Sequence, residues 1–303
     1  MESTVKLTCP APAKLNLFLH VVGRRPDGYH LLQTLFRFID LHDTLHFSLR
    51  ADGVVQRTHA IEGVAEEQDL CVRAARLLQS ETGCGLGVDI TLEKRIPMGG
   101  GLGGGSSDAA TALIALNRLW SLGLSRTYLM QIGLKLGADV PVFIFGENAF
   151  AQGVGERLQA CALPEAWYVV LFPPVQVSTA QIFARLDVAD WDVARLDFAG
   201  RELTGDTVSI TMRALLEPER QFRNDLQPLV CNLYPEVGHY LASLDSFPEK
   251  LGKAMMTGSG ACVFAGFSSR SLAEAALQQL SHEMRGVVAQ GLARHPLHDW
   301  VRD

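Results

Sequence analysis

Six of the seven residues from Gly99 to Gly105 are glycine, and the stretch PMGGGLGGGSSDAATALIALNRL runs straight into a helical pattern. Glycine loses more backbone freedom on folding than any other residue. A run of it therefore persists where the backbone must adopt φ > 0 or press against a ligand. From Ser107 onward Ala109, Leu113, Leu116 and Trp120 fall at helical spacing, and Ser106, Ser107 or Asp108 is placed to cap the first turn. The first N–H groups of such a helix lack an intrahelical partner, and with the macrodipole they favour an anion. A phosphate chain is the natural occupant.

A Gly/Ser-rich linker has a similar composition. Linkers are not normally bracketed by a strand-like VDITLEKRI (Val88 to Ile96) and an apolar helix, as this run is. The Walker loop is excluded, because Ser106 follows Gly105 where that motif requires lysine. GxGxxG matches at Gly99, Gly101 and Gly104, but consecutive glycines make the match cheap. No Asp or Glu lies between Asp108 and Asp139 to meet a dinucleotide ribose.

The chain has 303 residues, for which two domains is the prior expectation. Its 48% hydrophobic and 20% charged content is that of an ordinary globular protein. No apolar run approaches the roughly 18 residues of a membrane helix, and MESTVKLTCPAPAKLNLFLH lacks a cleavable signal pattern. The expected setting is the cytoplasm, with no membrane partner. A net charge of −6 without a basic run argues against nucleic acid. The six cysteines, at 9, 71, 84, 161, 231 and 262, lack disulfide or zinc spacing and read as buried apolar residues. His42 and His46 sit on a strand-like stretch that holds their rings too far apart to share a metal, and His295 and His298 read as a solvated tail.

The first 50 residues read as strand, turn and strand, with GRRPDGYH as the turn. Helices are expected at about Leu70 to Gln79, Ser125 to Leu136 and Pro228 to Leu244, and over SLAEAALQQL. Strands are expected at PVFIFG, WYVVLFPP and GVVAQGL, and on either side of Gly258 and Gly260. The acidic stretch from Asp187 to Thr207 suggests a change of territory, and the boundary is set loosely at 155 to 175. The mixture without strict βαβ repetition favours an α+β chain of two domains, 1–160 and 161–303.

Four motifs in order carry a family resemblance: PAKLNLFLHVVGRRPDGYH, PMGGGLGGGSSDAA, GADVPVF at 137 to 143 and MTGSGACVFA at 256 to 265. Together they resemble the GHMP small-molecule kinases over nearly the whole chain. The resemblance implies a two-domain α+β fold with its site in the cleft between domains. It further implies ATP phosphates held by Pro97, Met98, Gly99, Gly100, Gly101, Leu102, Gly103, Gly104, Gly105, Ser106 and Ser107, and transfer of the γ-phosphoryl to a small alcohol. Asp139 matches the family's base and Lys14 the lysine beside it. The DGYH element marks the branch whose alcohol is carried on cytidine diphosphate.

Phosphoryl transfer needs positioning, charge stabilisation and one group to take the hydroxyl proton. A carboxylate near Lys14 stays ionised, and the cation can stabilise charge on phosphoryl oxygens. Asp139 is expected at a helix end running into a strand. Asn16 shares a strand face with Lys14, as a substrate ligand or a structural amide. Lys94 reaches phosphates or is a solvated lysine. Tyr29 offers a stacking platform and His30 ring nitrogens for the cytosine edge. Phe183 resembles a second stacking aromatic or belongs to the core. Magnesium is expected with ATP, because it binds phosphates readily and keeps most of its waters. Relatives that hold it with a protein carboxylate carry a Glu about three helical turns before the Asp. That neighbourhood here offers Tyr128 and Gln131, so no protein metal ligand is expected. A different GHMP kinase and a non-catalytic sensor on the same scaffold remain alternatives; a sensor would fit loss of Asp139 or Lys14, and both are present.

Overall fold

The fold is that of a computed structural model, which describes residues 5–186 and 222–303. The acidic stretch from Asp187 to Thr207 lies outside the described residues. Strands β1 (Lys6–Arg24) and β2 (His30–Arg50) form one long antiparallel pair through the expected turn, where Gly28 takes φ 91°. Next come β3 (Val55–Arg57), α1 (Leu70–Thr82) and β4 (Gly87–Glu93). The Asp69 side chain caps α1 by accepting from Cys71 N, and left-handed Gly83 ends it. Helices α2 (Gly104–Leu119), α3 (Arg126–Leu134) and α4 (Val140–Phe145) cover one face of the sheet that β5 (Ala149–Gly153) and β6 (Arg157–Ala160) complete. Its order is β3-β4-β2-β5-β6, with β1 on β2 and only β3 parallel to its neighbour.

Among the described residues there follow β7 (Trp167–Leu171), α5 (Thr179–Arg185), α6 (Gln227–Leu233), α7 (Pro235–Asp245), β8 (Lys250–Met256), β9 (Val263–Phe267), α8 (Arg270–Gln279) and β10 (Gly286–Gln290). They build an antiparallel sheet of order β10-β7-β9-β8. A core of Ala13, Leu15 and Ile39 against Tyr168, Val170 and Phe264 joins the two sheets.

Four expectations need correction. PVFIFG is the helix α4, with Pro141 in its first turn and Gly146 closing it in the left-handed region. A short apolar run does not separate strand from helix by periodicity. The expected helix from Pro228 to Leu244 is two helices broken at Tyr234, because Pro235 disfavours helical geometry at the residue before it. Helix α2 starts three residues early, with Gly103 rather than Ser106, Ser107 or Asp108 at its N-cap. His295 is not in a solvated tail. It is 2% exposed, its backbone N–H donates to Gly146 O, and the segment after it sends Leu297 and Val301 into the first core.

Four cysteines are buried and Cys84 and Cys231 half-buried, all as free thiols; burial pushes Cys9 and Cys262 up to about 12. Among the described residues no helix is long and apolar enough to cross a membrane.

Candidate active site

A β-bulge aims the first two site residues. Before it, Cys9 and Ala11 on β1 face the helix-covered core. The register shifts between Pro12 and Ala13, so that Ala13 and Leu15 turn to the inter-sheet core and Lys14 and Asn16 to the helix side. The pairing jumps there by two residues of β2, from Pro12 opposite His42 to Ala13 opposite Ile39, and β1 turns over at the irregularity. Lys14 and Asn16 then pair across the strands with Phe38 and Phe36, and the Lys14 ammonium lies 5.4 Å from the Phe36 ring centre.

Lys14 Nζ donates to Asn16 Oδ1 and lies 3.4 Å from Asp139 Oδ2. Asn16 is itself fixed: its Nδ2 donates to Thr34 Oγ1 at 2.8 Å, and its backbone N–H to Thr257 Oγ1 at 2.9 Å. Asp139 sits at the start of α4, running into a helix rather than the expected strand, and its carboxylate makes no cap bond.

The glycine run lies directly above this pair. Gly99, Gly101 and Gly103 take φ of 69°, 76° and 73°, in alternation with Gly100 and Leu102. Such alternation turns successive N–H groups into one concavity, an anion-binding nest. A Cβ on Gly101 would run into the Thr257 carbonyl. One on Gly103 would stand 2.9 Å from Phe143 and 3.1 Å from Lys14. The N-cap Gly103 offers α2 no side-chain hydrogen bond, so the first-turn N–H groups of this sixteen-residue helix are left for an anion. Pro97 to Ser106 line a cleft of about 490 Å³ with Lys14, Asn16 and Asp139. Ser107 does not line it: the residue is fully buried, its hydroxyl donates to Pro12 O and its N–H to Gly103 O.

Lys94 also lines the cleft, but its ammonium is held by two buried carboxylates, Asp43 at 2.5 Å and Asp108 at 2.9 Å. Burial works against its charge, yet Asp108 and Asp43 outweigh it and hold the Lys94 pKa above its ordinary value. Burial raises the Asp108 pKa, and Asp43 adds to the rise against the opposing pull of Lys94. Asp43 Oδ1 further accepts the N–H groups of Arg95 and Ile96, which fixes the chain leading into the glycine run. Sequence patterning marked Asp108 only as a possible cap and gave no sign of Asp43, and both are buried.

A second cavity of about 590 Å³ shares Ser106, Asp139, Val154, Thr179 and Phe183 with the first and adds Tyr29 and His30. Tyr29 is 65% exposed, whereas His30 is buried with its ring 5.1 Å from that of Phe183. Burial and the nearby Arg24 lower the His30 pKa, keeping the imidazole neutral near neutrality. The loop from Thr257 to Gly260 contributes Gly258, Ser259 and Gly260 to the wall of the first cleft. It is held to the glycine run by Cys262 N donating to Gly100 O at 3.1 Å, and is braced by buried Asn224, whose Nδ2 donates to Met256 O and Gly258 O. The MTGSGACVF motif pointed to this loop, but nothing in the sequence marked Asn224 as its brace. Among the described residues no cluster of three or more His, Cys, Asp or Glu could hold a metal ion.

Comparison with known proteins identifies the family. Residues 69–147 match the model of the GHMP kinases N terminal domain and residues 210–286 that of the GHMP kinases C terminal domain. The chain is 57% identical over 301 residues to the 4-diphosphocytidyl-2-C-methyl-D-erythritol kinase of Nitrosospira multiformis, covering 99% of this chain and 96% of that one. It is 56% identical to the enzyme of that name from Thiobacillus denitrificans, over 96% of this chain and 98% of the other. A crystal structure of 4-(cytidine 5'-diphospho)-2C-methyl-D-erythritol kinase superposes with a TM-score of 0.78 at 35% identity, covering 94% of this chain and 99% of that one. A homoserine kinase from Cytophaga hutchinsonii shares the fold at TM-score 0.72 and 16% identity, over 97% of each chain. With two family domains in order and relatives this similar over nearly its whole length, the chain belongs to the GHMP kinase family.

Proposed function

We propose that this chain transfers the γ-phosphoryl group of ATP to the 2-hydroxyl of 4-diphosphocytidyl-2-C-methyl-D-erythritol. The observation that carries the reading is the placement of the Lys14–Asp139 pair where the glycine cradle and the aromatic-lined cavity meet. A triphosphate in the cradle and a cytidine between the aromatics would bring their reacting ends to this pair. Relatives at 57% and 56% identity carry the name of that kinase.

In the proposed reaction the substrate hydroxyl oxygen forms a bond to the γ-phosphorus, and the bond from that phosphorus to the β–γ bridging oxygen breaks to release ADP. Asp139 Oδ2 takes the hydroxyl proton. Lys14 pairs with Asp139 and stabilises charge on the transferring group. Asn16 orients Lys14 and faces the substrate from the same cleft wall. The backbone from Pro97 to Ser106 holds the phosphates, with Lys94 bracing the loop through Asp43 and Asp108. Tyr29 and Phe183 bracket the base and His30 reads its edge. Magnesium bound with ATP would supply charge neutralisation on the phosphates. Asp139 lines the cleft together with the glycine run and would face an ion carried in by ATP. We place the unit boundary at 160/161, between the last strand of the first sheet and β7. A step that consumes ATP in this way is proposed for the cytoplasm.

The test is kcat/KM for the cytidylyl substrate and its uridylyl analogue. A site that hydrogen-bonds cytosine leaves buried polar groups unpaired against uracil, which can cost up to about 10⁴ to 10⁵ in kcat/KM. Tyr29→Ala should remove stacking worth roughly 1 to 3 kcal/mol with ATP kinetics little changed, and His30→Ala should narrow the gap between the bases. Equal use of both bases by the wild type would leave a GHMP kinase with a different substrate; no ADP release with either would favour a sensor.

A further inference from the structure

Helix α4 carries Asp139 at its start and is six residues long. A helix that short is not stable by its own hydrogen bonds, so its position depends on what grips it. Phe143 reaches beneath Gly103 and lies 5.5 Å from Phe38, which ties the middle of α4 to the glycine loop. Its far end is gripped by one side chain.

Arg126, the first residue of α3, is 6% exposed and uses all five of its donors. Nη1 donates to Ile144 O at 2.8 Å and Phe145 O at 3.1 Å, the last two carbonyls of α4. Nη2 donates to His298 O at 2.9 Å and Val301 O at 2.8 Å, and Nε to Asp303 Oδ1 at 3.0 Å. The segment it holds closes over the same helix end, where His295 N donates to Gly146 O at 2.8 Å and Arg294 pairs with Glu147 at 3.1 Å. A cation at a helix C-terminus also meets the negative end of the dipole.

We propose that Arg126, with the segment from Leu292 to Asp303, is a clamp that sets where α4 holds Asp139, which makes Arg126 a positioning residue for proton transfer. This rests on the reading of Asp139 as the base. The clamp touches neither cavity, so it leaves ground-state binding alone. It acts on the alignment of Asp139 with Lys14, and misplacement of a reacting group by about 1 Å is enough to cost on the order of 10²-fold in rate. Lysine keeps the charge but not the fork of donors, so charge alone would be rescued by Arg126→Lys and geometry would not.

The experiment compares Arg126→Lys, Asp139→Asn and the double variant in full-length protein. Arg126→Lys should lower kcat about tenfold with both KM values within about twofold of wild type. Amide exchange over 140–146 should quicken, and the substitution should have no further effect on kcat once Asp139 is asparagine. An equal fold-loss in the Asp139→Asn background, full activity of Arg126→Lys, or a raised KM with unchanged kcat would overturn the clamp. Should Arg126→Lys fail to fold, Asp303→Ala removes the one exposed bond of the set. It should then lower kcat by about two- to threefold at constant KM, and unchanged kcat would count against the proposal. Near-normal kcat in Asp139→Asn alone would instead defeat the base assignment, and exchange over 140–146 would still decide whether Arg126 grips the helix.

Discussion

The Lys14 ammonium lies 3.4 Å from the Asp139 carboxylate, with the lysine side chain 4% exposed and the aspartate 37%. The asymmetry suits the chemistry. The buried ammonium pairs with Asp139 and donates to the Asn16 side-chain carbonyl, while the carboxylate keeps a face open to the cleft.

Asp139→Asn should therefore lower kcat by roughly 10² to 10⁴, the usual worth of a positioned base, with the KM for ATP largely retained. Lys14→Ala should show a comparable loss, because both side chains serve one event. Steady-state kinetics on the two variants decide this, and near-normal turnover of Asp139→Asn would return that residue to a helix-start role.

Much of this site is legible in the sequence because it is local. Lys14 and Asn16 share a strand face by the period of two, the glycine run precedes a helix, and Tyr29 and His30 follow a turn. What is not legible depends on long-range pairing. The bulge at Pro12 and Ala13 shows only against β2. The last carbonyls of the PVFIFG helix meet Arg126 from the start of α3, and the burial of His295 comes with a segment that returns to the first sheet. Lys94 read equally well as a phosphate ligand or a solvated lysine, because the two carboxylates that hold it come from β2 and α2.

Gly103 is the glycine of the loop whose replacement pushes directly on Lys14. Alanine there meets Phe143 at 2.9 Å and Lys14 at 3.1 Å, in a backbone with φ 73°. Left-handed geometry alone costs a non-glycine residue roughly 1 to 2 kcal/mol. Gly103→Ala is expected to lower kcat/KM for ATP at least about tenfold, since it pushes on Lys14 and the cradle together. Gly85→Ala, with open space around it and no left-handed φ, is the control. Unchanged ATP kinetics in a folded Gly103→Ala protein would remove the case for the cradle.

The two carboxylates around Lys94 should respond unequally to amide substitution. Asp43 is fully buried and accepts from Lys94 and from two backbone N–H groups. Asp108 is held toward its protonated form by burial and by Asp43. Asp108→Asn resembles that neutral form and should cost less than about 1 kcal/mol. Asp43→Asn or Lys94→Met strands buried charge and should cost about 3 to 5 kcal/mol. Urea unfolding of the three variants measures this, and equal losses for Asp43→Asn and Asp108→Asn would contradict the assignment.

His295 should give the protein an acid-side weakness. Burial, with smaller contributions from His298 and Arg126, lowers its pKa from 6.5 to about 3. Its Nδ1 accepts from Leu297 N at 3.1 Å, and its ring meets Phe38 edge-on. The folded state thus keeps the ring neutral where the unfolded chain would protonate it. Because the unfolded state then binds more protons, stability rises with pH across this window. The contribution is complete above about pH 6.5 and is lost progressively as pH falls toward 3. At pH 5 the loss from this one group is roughly 2 kcal/mol. His295→Asn keeps an acceptor near Leu297 N but cannot titrate. Its unfolding free energy, measured by denaturant at pH 7.5 and pH 5, should fall less than that of wild type by about that amount. Parallel falls in the two proteins would show that His295 is not the group being protonated.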